Sequence, residues 1–280
     1  MPKSLKIYIF LLVLIFIGII WADATKERPI DWRESYSLNE KIPFGLYVFN
    51  QEHKAIFKPQ TVEKFSESPY EFLDKNYNTY DSIYDIEGTI LLIQNKAAID
   101  EYSENELFYF ASHRNAIFYS NSNFSQKFAD SLGFEIEYSN DFADSLQFKI
   151  NQNQKAGNFY FNKGINTAYF SKIDSSKTEV LGTQINSKGE EFANFIKVKH
   201  LNGNFYLHLQ PVAFTNYYLL NKNSQYTEDI LGYIPSKSPI YWKVKQYDNE
   251  ELSSSPMRYL LSQPALKWAW FLAWIAFVIF

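Results

Sequence analysis

The sequence predicts an α/β fold built on a largely parallel sheet with flanking helices. Thr89–Gln94 is a continuous apolar run, the signature of a strand buried on both faces. Two more strand-like runs follow, Ala116–Ser120 and Phe134–Tyr138, and helical patterns fill both gaps. Strand, helix, strand, helix, strand requires crossover connections, and crossovers join parallel strands.

From the N-terminus, Ile7–Ala22 is a run of 16 residues without charge, preceded by Lys3 and Lys6. A membrane span needs about 20 residues. The run is short for a membrane helix and long for the apolar core of a signal peptide. Ala22-Asp23-Ala24 has the small-x-small form of a cleavage site. Residues 1–24 are expected to be an uncleaved signal anchor, with cleavage after Ala24 as the alternative. In both cases the basic N-terminus stays inside and the rest lies outside the cytoplasm. Pro29 and Pro43 make residues 23–43 an extended lead-in. Leu46, Phe49, His53 and Ile56 recur at helical spacing and predict a helix within 44–57. Thr61–Phe65 predicts a strand. Residues 66–88 are polar, rich in Tyr and Asp, and read as a loop with a short helix around 70–75.

Ser103 and Glu106 have the spacing of a capping box and predict a helix running to about His113. Ser125–Leu132 predicts a second helix, closed by Gly133. Residues 140–190 are less regular, and alternation in Asn158–Phe161 and Ala168–Phe170 predicts short strands of an inserted β-layer. Phe195–His200 and Asn204–Gln210 flank Asn202-Gly203 and read as a hairpin with a two-residue turn. Pairing across it puts Ile196, Val198, His200, Phe205, Leu207 and Leu209 on one face, and Lys197, Lys199, Tyr206 and His208 on the other. His208 beside two lysines reads as a surface group. Residues 212–221 and 224–233 read as helices and Ile240–Val244 as the last strand. Pro264–Phe280 is a second apolar run, with Trp268, Trp270 and Trp274 clustered as in an interfacial belt. It predicts a second membrane helix within residues 256–280, entered from outside, in a chain expected to continue past Phe280. A buried C-terminal helix is the alternative. Residues 25–255 are then an extracytoplasmic domain.

Between the apolar ends lie all 31 acidic residues and every basic one except Lys3, Lys6 and Lys267, a net charge of −7. That balance excludes a nucleic-acid footprint. The chain has no Cys, which excludes disulfides, thiolate nucleophiles and cysteine metal sites. The 25 Phe and 21 Tyr share AT-rich codons with the abundant Asn and Lys, so genome composition accounts for most of the aromatic load.

Few residues carry a chemical signature. The four histidines, His53, His113, His200 and His208, form no close ligand pair, and no metal or cofactor is expected. No GxSxG, GxGxxG or P-loop motif is present. Ser120 and Ser122 lie where a strand hands over to a helix, but next to Asn121 and Asn123 rather than glycine. Asp81, Asp85, Glu87, Asp100, Glu101 and Glu104 read as a solvated acidic face. Ligands of open α/β sheets bind beyond the carboxyl ends of the strands. Gln210, Thr215 and Asn216 follow such an end and are candidate ligand-binding residues. The alternative is that Thr215 and Asn216 cap a helix while Pro211 shapes a turn.

Pro29–Asn50, the Phe214-Thr215-Asn216 turn and Ser255–Trp270 together resemble the bacterial domain-of-unknown-function forty-three-fifty family. The resemblance runs from about residue 25 onward. It implies a flavodoxin-like domain of the class I glutamine-amidotransferase-like type between two membrane helices, in the bacterial inner membrane and facing the periplasm. It also implies company: other membrane proteins and a MoxR-type AAA+ ATPase. No catalytic residues carry over, and without Cys glutamine amidotransferase activity is excluded. The expectation is a non-catalytic, membrane-anchored binding or scaffold protein with the bilayer and a membrane complex as partners. The alternative is a hydrolase or glycan-active enzyme using carboxylates, or Ser122, at the sheet's carboxyl edge.

Overall fold

The computed structural model describes residues 2–25, 29–95, 99–139, 145–151, 158–221, 223–245, 261 and 264–279. The chain divides into two compact units, Met1–Trp32 and Arg33–Phe280. The first holds one helix, α1 (Lys3–Thr25), on which Ile7, Leu12, Phe16 and Trp21 are exposed.

The second unit opens with α2 (Tyr47–Ile56), β1 (Val62–Phe65), α3 (Pro69–Lys75), and the two short strands β2 (Tyr77–Asn78) and β3 (Ile83–Tyr84). β4 (Thr89–Ile93), α4 (Glu101–Ser112), β5 (Ala116–Ser120), α5 (Gln126–Leu132) and β6 (Phe134–Tyr138) follow. Then come β7 (Leu146–Ile150), β8 (Phe159–Phe161), β9 (Ala168–Ile173), β10 (Thr178–Ile185), β11 (Glu191–His200) and β12 (Gly203–His208). A 3-10 turn at Pro211–Phe214 leads to α6 (Asn216–Leu219), α7 (Ser224–Leu231), β13 (Ile240–Lys243) and α8 (Pro264–Ile279).

Eleven strands form one sheet, ordered β1-β13-β4-β5-β12-β11-β10-β7-β8, with β6 and β9 attached at β11. The strands from β1 to β12 are parallel neighbours. Beyond β12 every pairing is antiparallel. The sheet is therefore mixed, and the expected largely parallel, flavodoxin-like sheet is corrected. The reason is β6. It reads as the third crossover strand, but it pairs antiparallel with β9 and extends the β-layer instead. All five residues of β4 and of β5 are buried, because helices cover both faces of the parallel half. One face carries Phe49, Phe118, Phe214, Tyr226 and Trp242 under α2, α6 and α7. The other carries Phe72, Leu107, Phe110, Phe128 and Leu207 under α3, α4 and α5.

Local chemistry sets the helix ends. Ser68 and Glu71 close a capping box on α3, and Pro69 stands in its first turn. Ser125 caps α5, and Gly133 ends it in the left-handed conformation at φ 75°. α4 starts earlier than the expected Ser103 box. Asp100 is the N-cap, accepting from the Ser103 N–H at 2.9 Å and the Ser103 hydroxyl at 2.6 Å. The hairpin turn falls one residue before the expected position. His200 pairs with Gly203, and Leu201 takes the positive φ, 50°. Gly203 opens β12 opposite His200, and a side chain does not fit there, since a Cβ would come 2.1 Å from the Ala111 carbonyl oxygen.

Among the described residues no helix is long and apolar enough to cross a membrane. This overturns the expected pair of membrane helices and the bitopic inner-membrane placement. α8 has 16 residues, and so has the uncharged run in α1. At 1.5 Å per residue each rises about 24 Å, against a hydrocarbon core of about 30 Å. The expected boundary at 255/256 and residues 255–260, 262 and 263 lie outside the described residues.

Candidate functional site

The connections of the parallel half cross the sheet in both senses. From β4 the chain steps through α4 to β5 on one side. From β12 it returns through α6 and α7 to β13 on the other. Ligands of open α/β sheets bind beyond the carboxyl ends of the strands. A cavity of about 250 Å³ lies there. The strand ends supply Gln94, Asn95, Trp242 and Lys245, and the segment before α2 covers it with Glu34 and Ser35.

That covering segment is held by named bonds. Lys245 donates to the Ser35 carbonyl at 2.5 Å. The Tyr36 N–H donates to the Phe44 carbonyl at 3.0 Å and the Leu46 N–H to the Ser37 carbonyl at 2.7 Å. Tyr36 is buried with φ 49°, a conformation that side chains rarely adopt. Residues kept in such conformations cluster at ligand sites, where surrounding bonds over-determine them. Asn95 is oriented from both sides: its amide donates to the Glu34 carboxylate, and its carbonyl accepts from the Ser122 hydroxyl. Gln94 turns away and donates to the Tyr119 hydroxyl at 2.6 Å. Lys243 donates to the Ser66 and Val244 carbonyls at 2.9 and 2.7 Å. Burial holds its pKa below the usual lysine range, while Glu67 and Glu71 pull it back.

A polar seam continues along the same edge. The Asn166 amide donates to the Ser122 carbonyl at 3.2 Å, and the Asn166 N–H donates to the Gln210 side-chain oxygen at 3.0 Å. Gln210 donates back to the Asn166 carbonyl and reaches Gln184 at 3.4 Å. Of the three expected ligand residues, Gln210 thus lies at the carboxyl edge, fully buried, with its amide spent on Asn166. Thr215 is buried and donates to the Val212 carbonyl at 2.6 Å. Asn216 clasps the loop before α2, donating to the Glu40 and Ile42 carbonyls at 2.9 and 2.8 Å and accepting from the Val48 N–H at 2.7 Å. None of the three lines the cavity.

Sequence reasoning missed Glu34, Asn95 and Lys245 as a group. Asn95 carried a signal, since it follows a buried strand just as Gln210 does. Glu34 and Lys245 lie 61 and 150 positions from it along the chain, and only the fold brings them together.

His208 is corrected from a surface group to a fully buried one. Its Nδ1 lies 2.9 Å from the Ser120 hydroxyl and its Nε2 3.1 Å from the Tyr226 hydroxyl. Burial lowers its pKa to about 3, so the ring is neutral. Asn194 donates to the Tyr226 hydroxyl at 3.1 Å. The carboxylates read as an acidic face do not converge on the cavity; Glu104, the buried one, accepts from the Ser125 hydroxyl at 2.8 Å, and burial raises its pKa. Among the described residues no group of three or more His, Cys, Asp or Glu is placed to hold a metal ion. A larger hollow of about 540 Å³ lies between α2 and α7, away from the strand ends.

No family model matches the chain, and no curated protein matches it. Solved structures do. An exo-β-1,4-mannosidase from an Opitutaceae bacterium matches at 12% identity and a TM-score of 0.37, over 53% of this chain and 25% of that one. A β-galactosidase from Rahnella sp. R3 matches at 10% identity and 0.34, over 52% and 22%. A cytoplasmic protein from Salmonella typhimurium matches at 9% identity and 0.29, over 61% and 70%. This chain spans about a quarter of the length of these two glycosidases. These two neighbours are glycosidases, and the expected amidotransferase-like fold and the expected non-catalytic role find no counterpart in them. At TM-scores this low the likeness establishes neither a reaction nor a substrate for this chain.

Proposed function

We propose that the chain is a glycan-active protein that takes a single sugar ring in the cavity at the carboxyl ends of β4 and β13. One observation carries this reading: a carboxylate, a carboxamide and an ammonium group converge beside an indole in one small cavity, as Glu34, Asn95, Lys245 and Trp242. A sugar ring presents hydroxyls that donate and accept on its rim and C–H groups on its faces. Carboxylate accepts, ammonium donates and carboxamide does both, so the set matches vicinal hydroxyls. The indole offers an apolar wall. At about 250 Å³ the cavity is smaller than a typical drug-sized pocket and suits one ring. This convergence supports the reading independently of the glycosidase matches. Hydrolysis by paired carboxylates needs two such groups across the bond. Glu34 is the one carboxylate among the described lining residues, and we assign proton transfer to it.

The test is a panel of monosaccharides followed by ligand-observed NMR with the whole chain, run beside a panel of chromogenic glycosides. At least one sugar is expected to bind. Asn95→Ala should weaken it about tenfold, the cost of one lost polar contact, and Glu34→Gln should stop any chromogenic release. Absence of binding across the panel, or binding untouched by Asn95→Ala, would overturn the assignment.

A further inference from the structure

The face opposite the β-extension carries a surface that the cavity does not use. α3, the β2–β3 hairpin and α4 gather tyrosines there. Tyr77 packs on Tyr84 and Tyr109 at ring distances of 5.2 and 5.6 Å, and the Tyr77 and Tyr109 hydroxyls meet at 2.9 Å. Tyr70 packs on Tyr102 at 6.1 Å, where the Tyr70 N–H also donates to the Ser103 hydroxyl at 3.2 Å and ties α3 to α4. Tyr80 is 98% exposed and Tyr102 73%. Tyr102 and Tyr109 are seven positions apart on α4, so they share a face about 10 Å long. Large aromatic side chains left in water on one contiguous face mark an interaction site.

The charge of the same face says what would cover it. Asp74, Asp81, Asp85, Glu87 and Glu101 are exposed around the tyrosines. Lys75 is the one lysine or arginine between Ser66 and Gln94, and it is paired with Glu67 at 3.1 Å; none occurs between Ile99 and Ser112, although Lys127 of α5 pairs with Glu101 at 2.6 Å. Such a surface repels nucleic acid and anionic lipid. It attracts cations, and tyrosine faces hold guanidinium groups by stacking and cation–π attraction.

We propose that this face docks a basic, arginine-containing segment of a partner protein, with guanidinium groups laid on the exposed tyrosines and the carboxylates setting orientation. Arginine is favoured over lysine because its planar, weakly hydrated group stacks where an ammonium does not.

The probes are fluorescent octa-arginine and octa-lysine peptides, titrated against the whole chain by anisotropy at low and physiological salt. Octa-arginine should bind at least about fivefold more tightly than octa-lysine. The Tyr80→Ala/Tyr102→Ala double variant should remove that difference, and these two side chains are exposed enough that folding is not at stake. Asp81→Asn/Asp85→Asn should weaken both peptides. Equal binding of the two peptides that fades with salt would mean polyelectrolyte attraction only, and would overturn the proposal. So would the absence of binding, or an arginine preference that survives the double tyrosine variant.

Discussion

His208 sits at the end of β12 with its ring between Ser120 and Tyr226, fully buried and neutral. The unfolded chain takes up a proton on this ring near pH 6.5, whereas the folded chain resists until about pH 3. The depressed pKa of a basic group means that the fold is favoured while the ring is neutral. The contribution is therefore complete above pH 6.5 and is lost as the pH falls toward 3, at up to about 1.4 kcal/mol per pH unit. Chemical denaturation of the wild type and His208→Gln at several pH values between 7 and 4 should show a shallower acid slope in the variant. Parallel slopes would mean that His208 is not the proton-linked group. The sequence could not show this burial. His208 alternates with Leu207 and Leu209, so half of the hairpin had to point away from the first core face. That the other half is also buried, under Phe195 and Phe214, depends on the chain that follows Pro211.

At the scale of elements, Asn216 is the joint between α6, α2 and the loop before α2. Gly45 closes the same joint: a Cβ there would come 2.2 Å from the Glu40 carbonyl oxygen and 3.1 Å from the Asn216 amide. Asn216→Ala would leave the Val48 N–H and two carbonyls to find new partners. Unmet buried polar groups cost about 1–3 kcal/mol each. We expect Asn216→Ala to lower stability by at least about 2 kcal/mol, measured by urea denaturation. A change below about 0.5 kcal/mol would show that water replaces the clasp. Elements with strong local signals were legible: β4, β5 and α5 with its Gly133 stop. β10 was not, because its register shifts at Gly182 interrupt the alternation that marks a strand. The start of α4 was misplaced by local rules, since Asp100 and Ser103 both have capping side chains and only the backbone decides between them. The hairpin kept its faces although its turn moved by one residue: β12 pairs Phe205 with Val198 and Leu207 with Ile196, apolar on apolar.

For the whole molecule, the mixed sheet sets a gradient of stability. β4, β5 and β12 lie in the interior of the sheet, with helices on both faces, whereas β8 is an edge strand. Hydrogen exchange should therefore be slowest in β4, β5 and β12 and markedly faster in β7 and β8. Uniform protection across the sheet would contradict that gradient. The candidate site follows from the same architecture. Its cavity lies beyond the carboxyl ends of β4 and β13, and its polar groups come from three separate stretches of the chain.

By itself the sequence determined what depends on neighbours along the chain. The buried central strands, the helix stops, the hairpin faces and the absence of cysteine chemistry all come from side chains within a few positions of one another. The tertiary structure alone decided that β6 leaves the parallel set to pair with β9, that His208 is buried, and that Asn216 is a clasp. It also decided that Glu34, Asn95 and Lys245 share a cavity. Each of these depends on which distant segment packs against a residue. Periodicity and capping signals act over one or two turns of chain, so they cannot carry that information.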